Sequence, residues 1–241
     1  MTAPEPTILA TSGGLRSGER TYWEFAPLTT YAVDLSGVAG RAPRVCFIST
    51  AVGDNPMVMH NLSEAGRVAG YAVSHLQLFG MPNVSSIEEH LLTQDVVWVM
   101  GGSVANLLAV WRVHGVDVAL RNAWLAGVVL TGVSAGSICW HVGGTTDSFG
   151  PQLAPITDGL GLLPYGNGVH YDTEERRRPL LQSLVADGTL PDSYCTDDGV
   201  GIVYRGTSFA EAVAETASGG AYFVTRSGDG AQEDAIDVRR L

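Results

Sequence analysis

The chain has 241 residues, of which 45% are apolar and 16% charged, and a formal net charge of −11. This length and apolar fraction suit one α/β domain over residues 1–241 with a sizeable core, and exclude a disordered chain. The acidic balance argues against nucleic-acid or anionic-membrane partners, and no apolar run approaches the length of a membrane span. In chain order, a short strand is predicted over 7–11, ending at the turn Ser12-Gly13-Gly14. Residues 31–35 fit either a strand or the end of a helix, and 44–50 read as a buried strand. Gly53-Asp54-Asn55-Pro56 opens a helix to about 72, with Pro56 suited to its first turn. The alternation of Val73, His75, Gln77 and Phe79 predicts the next strand. Residues 84–92 read as a helix capped by Ser85 or Ser86, with Glu88 and Glu89 in its first turn. A strand over 95–100 turns at Gly101-Gly102 into helices over 105–113 and 118–126. Three short strands, over 200–204, 209–213 and 221–225, occupy the last part. Strands alternating with helices over the first 140 residues imply a mostly parallel sheet with helices on both faces.

The sharpest feature is Gly132-Val133-Ser134-Ala135-Gly136. In a chain with 30 glycines the bare G-x-S-x-G spacing has little weight. Its place directly after the apolar run 128–131 and before a predicted helix over 137–142 is the strand–turn–helix setting of a nucleophile elbow. A serine on so tight a turn needs neighbours without bulk, and Gly132 and Gly136 supply them. The amide of Ala135 then lies where unpaired N–H groups favour a developing negative charge. A second such donor is expected from Gly102, after a neighbouring strand.

A serine nucleophile needs a base. Of the six histidines, His170 stands out in the glycine-rich stretch Pro164-Tyr165-Gly166-Asn167-Gly168-Val169-His170-Tyr171-Asp172, downstream of the serine; His60, early in the helix after a strand, stays open. For the acid, Asp147 leads because its polar loop follows the elbow helix, while Asp172, Glu174, Asp197 and Asp198 compete. Arg176, Arg177 and Arg178 form the densest cationic cluster in an acidic chain and lie just past His170. They read either as a solvated helix start or as a site for a substrate carboxylate.

Cys46, Cys139 and Cys195 are odd in number and far apart, which points to reduced thiols in a cytoplasmic protein rather than to disulfides or zinc. Residues 1–6 show neither the basic nor the apolar region of a signal peptide.

Taken together, Val99-Met100-Gly101-Gly102, Gly132-Val133-Ser134-Ala135-Gly136 and Val169-His170-Tyr171 resemble the peptidase E family. These are aspartyl dipeptidases related to cyanophycinase, with a class I glutamine-amidotransferase-like, flavodoxin-like three-layer fold. The resemblance spans about residues 45–205. It implies Ser134 as nucleophile, His170 as base, Asp147 as the acid, and the amides of Gly102 and Ala135 as oxyanion donors. It implies no cofactor or metal, and as substrates small peptides, including dipeptides with N-terminal Asp. A cyanophycinase-like or other amidase is the alternative within hydrolases, and a non-catalytic binding protein on the same fold is the alternative outside them. The chain departs from the family in carrying Ser103 where Asn is common. Its elbow serine, in place of the amidotransferases' cysteine, argues against glutaminase chemistry. A monomer or homodimer is expected.

Overall fold

Side chains alternate across the central strands and feed two cores. Ile8, Ala10, Cys46, Ile48, Val97, Val99 and Leu130 face one side, while Leu9, Val45, Phe47, Val96, Trp98 and Val129 face the other. Burial on both faces is why these strands read as nearly continuous apolar runs. The computed structural model, which describes residues 3–241, assembles them into an eight-stranded sheet. Its spatial order is Val238–Arg240, Ser208–Ala214, Val200–Arg205, Thr7–Thr11, Val129–Val133, Val96–Val99, Arg44–Ile48 and Ala72–Leu76. Only Val200–Arg205 runs against its neighbours. Helices Val104–His114 and Val116–Leu125 cover the first face through Leu107, Trp111 and Leu120. Helices Pro27–Leu35 and Pro56–Ala69 cover the second through Leu28, Ala32 and Leu62. This is the three-layer class I glutamine-amidotransferase-like fold.

Local chemistry sets the boundaries. Pro27 opens the helix over 27–35, which settles the ambiguous stretch 31–35 as helix. The Asn55 side chain accepts from the amides of Met57 and Val58, and Ser86 accepts from Glu89, so each caps the helix that follows. The strand expected to reach Phe79 ends at Leu76. Beyond it, Asp54 takes the amides of Leu78 and Phe79 out of the ladder. The elbow helix is a single turn, Ala135–Ile138, tightened by bonds from Trp140 to Ser137 and from His141 to Ile138.

A second sheet, of which only the strand over 221–225 is predicted from sequence, has the order Gly230–Ile236, Ala221–Ser227, Ser193–Thr196, Gly166–Gly168, Gly143–Thr146 and Ala154–Ile156. Its three middle strands through Gly143–Thr146 run parallel, and Ile156, Val169 and Tyr194 join the first core. The three cysteines are buried and unbridged. No described helix is long and apolar enough to cross a membrane.

His141 is buried with no exposed surface. Its Nδ1 is 2.9 Å from the Ser137 carbonyl, which can only accept, so Nδ1 carries the proton and Nε2 faces the Tyr204 hydroxyl. Burial pushes its pKa down to about 4, with the Ser137 carbonyl offsetting part of the shift. An unfolded histidine titrates near 6.5, so the unfolded chain takes up a proton first as pH falls. Stability from neutral His141 is therefore whole above about pH 6.5 and is lost progressively down to about pH 4, by roughly 3 kcal/mol. Urea unfolding across this window should show a slope of unfolding free energy on pH up to one proton shallower in His141→Gln than in wild type. Identical slopes would contradict the assignment.

Candidate active site

The parallel strands of both sheets end at one cleft, the crevice position where open α/β sheets bind ligands. Ser134 follows Val129–Val133, and Gly101-Gly102 lie just past Val96–Val99. From the second sheet, Asp147 follows Gly143–Thr146, His170 lies two residues past Gly166–Gly168, and Asp198 two past Ser193–Thr196. The cleft has a volume of about 390 Å³, and Gly102, Ser134, Asp147, His170, Glu174 and Arg177 line it. A larger hollow of about 460 Å³ beside Phe25, Tyr31 and Arg239 lies away from these strand ends.

Ser134 has φ 58 and ψ −112, a left-handed backbone that costs a non-glycine residue of the order of 1–3 kcal/mol. Close packing enforces it. A Cβ on Gly132 would lie 2.6 Å from both the Val99 and the Gly136 carbonyl oxygens, and one on Gly136 would collide with the Val99 carbonyl. On the other side, a Cβ on Gly101 would lie 3.2 Å from that of Ser134. The turn thus carries the serine against the Gly101-Gly102 loop, where Gly102 takes φ 137. Among the described residues the amides of Gly102 and Ala135 have no hydrogen-bond acceptor, so both remain free donors beside Ser134.

His170 also has a left-handed backbone, with φ 52. Its amide donates to Ser12 Oγ at 3.2 Å, and its Nδ1 donates to Oδ1 of Asp198. Asp198 is fixed in turn: its Oδ2 accepts from Thr173 Oγ1 at 3.1 Å and its amide donates to Asp172 at 2.9 Å. With Nδ1 engaged, Nε2 is the imidazole nitrogen left for the cleft. Among the described residues, no hydrogen bond joins Nε2 to Ser134 Oγ.

The carboxylate bonded to His170 is thus that of Asp198 and not that of Asp147, where the acid is expected from sequence. Asp147 lines the same cleft, but its exposed carboxylate makes no hydrogen bond to any described residue. Sheet register is the reason. Gly168 pairs with Cys195 on the parallel neighbour, which brings the residues that follow the two strands side by side. Asp147 leaves from the strand on the other flank of Gly166–Gly168. His60 is exposed on its helix and is not part of the cleft.

The three arginines diverge. Arg176 is exposed and reaches the Pro151 carbonyl. Arg178 pairs with Glu233 on the far side of the helix Arg177–Ala186. Arg177 alone lines the cleft; it is 3% exposed and donates to the Thr145 carbonyl at 2.6 Å. Its guanidinium is also claimed by Glu174, through a 3.0 Å hydrogen bond and a 2.7 Å ion pair at Nε. The Nε contact is close enough for an ion pair but is not directed as a hydrogen bond.

Sequence reasoning missed Ser12, which joins the sheets: its hydroxyl meets Thr196 Oγ1 at 2.7 Å while receiving the His170 amide. Among the described residues, no three His, Cys, Asp or Glu side chains cluster as a metal site.

Residues 8–212 match the sequence profile described as Peptidase family S51. An uncharacterized peptidase, YgaJ, of Bacillus subtilis (strain 168) is 35% identical over 199 residues, 83% of this chain and 85% of that protein. Two solved structures share the fold. One is a peptidase from an acI-B1 Actinobacterium, with TM-score 0.67, 17% identity and 97% of each chain covered. The other is a candidate peptidase E protein from Listeria monocytogenes EGD-e, with TM-score 0.60, 20% identity, and coverage of 86% of this chain and 97% of that one.

The two aspartates can be told apart by proton NMR. A downfield resonance from the His170 Nδ1 proton, shared with Asp198, should vanish in Asp198→Asn and persist in Asp147→Asn. The reverse pattern would return the acid to Asp147.

Proposed function

The chain belongs to peptidase family S51 and is a serine-type peptidase, and we propose that Ser134 is its nucleophile, His170 its base and Asp198 the acid that orients His170. One observation carries this reading: Asp198 occupies Nδ1 of His170, which leaves Nε2 for a cleft that also holds Ser134 on a strained turn. In the proposed reaction, Nε2 takes the Ser134 hydroxyl proton as Oγ attacks the peptide carbonyl. The negative charge that forms on the carbonyl oxygen as its π bond opens meets the free amides of Gly102 and Ala135. His170 then passes its proton to the departing amine, and a water activated by the same nitrogen releases the acyl group from Ser134.

Cleft size and charge bear on the substrate. A volume of about 390 Å³ suits a short peptide. Glu174 and Arg177 neutralise each other, so the uncompensated charge in the cleft is the Asp147 carboxylate. We assign Asp147 to the substrate's N-terminal ammonium. An N-terminal Asp side chain would have to draw Arg177 away from Glu174, so the cleft favours a neutral or basic first residue over the aspartyl preference implied by the resemblance.

Ser134→Ala should lower turnover of short peptides on the order of 10⁴-fold or more, His170→Ala nearly as much, and the double variant little further. Near-normal turnover in Ser134→Ala would end the reading.

For Leu-first, Lys-first and Asp-first dipeptides, kcat/KM should be lowest for Asp-first. Asp147→Asn should raise KM with kcat changed little, and blocking the substrate amine should reproduce that loss. An Asp-first preference abolished by Arg177→Ala would instead give Arg177 the substrate carboxylate.

A further inference from the structure

Behind the cleft, the C-terminal hairpin of Ala221–Ser227 and Gly230–Ile236 closes one edge of the second sheet. It lies wholly beyond residue 212, where the family match ends. Its Glu233, on the edge strand, accepts four hydrogen bonds. Oε2 accepts from the Tyr171 hydroxyl at 2.8 Å, from Gln182 Nε2 at 2.9 Å and from Arg178 Nε at 3.2 Å, and Oε1 accepts from a second nitrogen of Arg178. The Glu233 side chain is 13% exposed. Each donor is held on this carboxylate against its side-chain entropy, and the charge-assisted bonds that hold it are the stronger kind.

Both chain segments that hold the His170–Asp198 pair are reached from this carboxylate. Tyr171, 2% exposed, is the residue directly after His170, and its amide donates to the Thr196 carbonyl at 3.1 Å. Burial pushes its phenol pKa upward, so it stays a donor to Glu233. On the other side, the Arg178 guanidinium that Glu233 fixes lies 4.7 Å from the centre of the Tyr222 ring and 5.2 Å from that of Tyr171. The Tyr222 hydroxyl donates to Asp197 Oδ2 at 3.3 Å, and the Gly220 amide reaches the same oxygen at 2.9 Å. Asp197 is the residue directly before Asp198.

His170 has a left-handed backbone, which persists only where its surroundings over-determine it. Ser12 holds its amide, and the chain after it is anchored through Tyr171. We propose that Glu233 is a positioning residue: through Tyr171 and the Arg178–Tyr222–Asp197 chain it fixes both His170 and Asp198 relative to Ser134. The hairpin is thereby a working part of the active site although it contributes nothing to the cleft wall.

This rests on His170 serving as the base, so the test includes a variant that reports on that reading separately. Glu233→Ala and Tyr171→Phe, alone and together, are compared with wild type and with His170→Ala, well below each variant's melting temperature and with folding checked by circular dichroism. Tyr171→Phe keeps the ring and its contact with Arg178, and removes only the hydroxyl, so it covers the case in which Glu233→Ala does not fold. The expected result is a fall in kcat of about 10-fold to 100-fold in each folded variant, with KM nearly constant. The double variant should be no worse than Glu233→Ala alone, because the contact that Tyr171→Phe removes is among those lost with the Glu233 carboxylate. The His170 Nδ1 proton resonance should broaden or shift in both, which a loss of stability alone does not cause in a folded sample. Unchanged kcat and an unchanged resonance in folded Tyr171→Phe, with or without a lower melting temperature, would overturn the proposal. If His170→Ala is itself active, the base is misassigned and the catalytic reading fails first.

Discussion

The close approach of the elbow to the Val99 carbonyl is the constraint from which the site follows. With Gly132 and Gly136 pressed against that oxygen, the chain leaves the buried strand Val129–Val133 only by a sharp turn, and Ser134 takes its left-handed backbone there. The energy stored in that turn is met by the two cores on either face of the sheet, where Val97, Val99 and Leu130 on one side and Val96, Trp98 and Val129 on the other leave the strands no freedom to relax. The strain is local, and the packing that opposes it is spread over the domain's most buried strands.

The second sheet completes the site from the opposite direction. Its parallel strands aim their carboxyl ends at the same crevice, and Ser12 ties the two sheets together by accepting the His170 amide and meeting Thr196. The distribution of charge follows from this meeting. Glu174 and Arg177, three residues apart at the start of the helix Arg177–Ala186, pair with each other, and the carboxylate left over, Asp147 beyond the strand Gly143–Thr146, sets the sign of the cleft. A net charge of −11 says nothing about that local result, since screening confines a distant charge's influence to about 10 Å.

Much of this was legible in the residues. The strands over 7–11, 44–48, 96–99 and 129–133 announce themselves because they are apolar on both faces, and the elbow because its glycines sit in the one context that requires them. Of the second sheet, only the strand over 221–225 did. Gly143, Gly144, Gly166 and Gly168 stand in its strands because a Cβ would strike the neighbouring strand's atoms, such as Cys195 Sγ, 2.8 Å from a Cβ on Gly168. Glycine there reads as turn. Asp198 is separated from His170 by 28 positions and only the pairing of Gly168 with Cys195 brings them together. Sequence could narrow the acid to a handful, among them Asp198, but distance along the chain favoured Asp147. The arginine run gave a similar lesson. A helix start sends adjacent side chains in different directions, so one of the three reaches the cleft.

Whether Ser134 is an activated nucleophile can be read out by active-site mass mapping with a fluorophosphonate probe. A single adduct is expected on the peptide carrying Ser134, formed readily by wild type and lost in His170→Ala. Labelling of another residue, or no labelling of the folded wild-type protein, would contradict it and leave a fold of this family without the chemistry assigned to it.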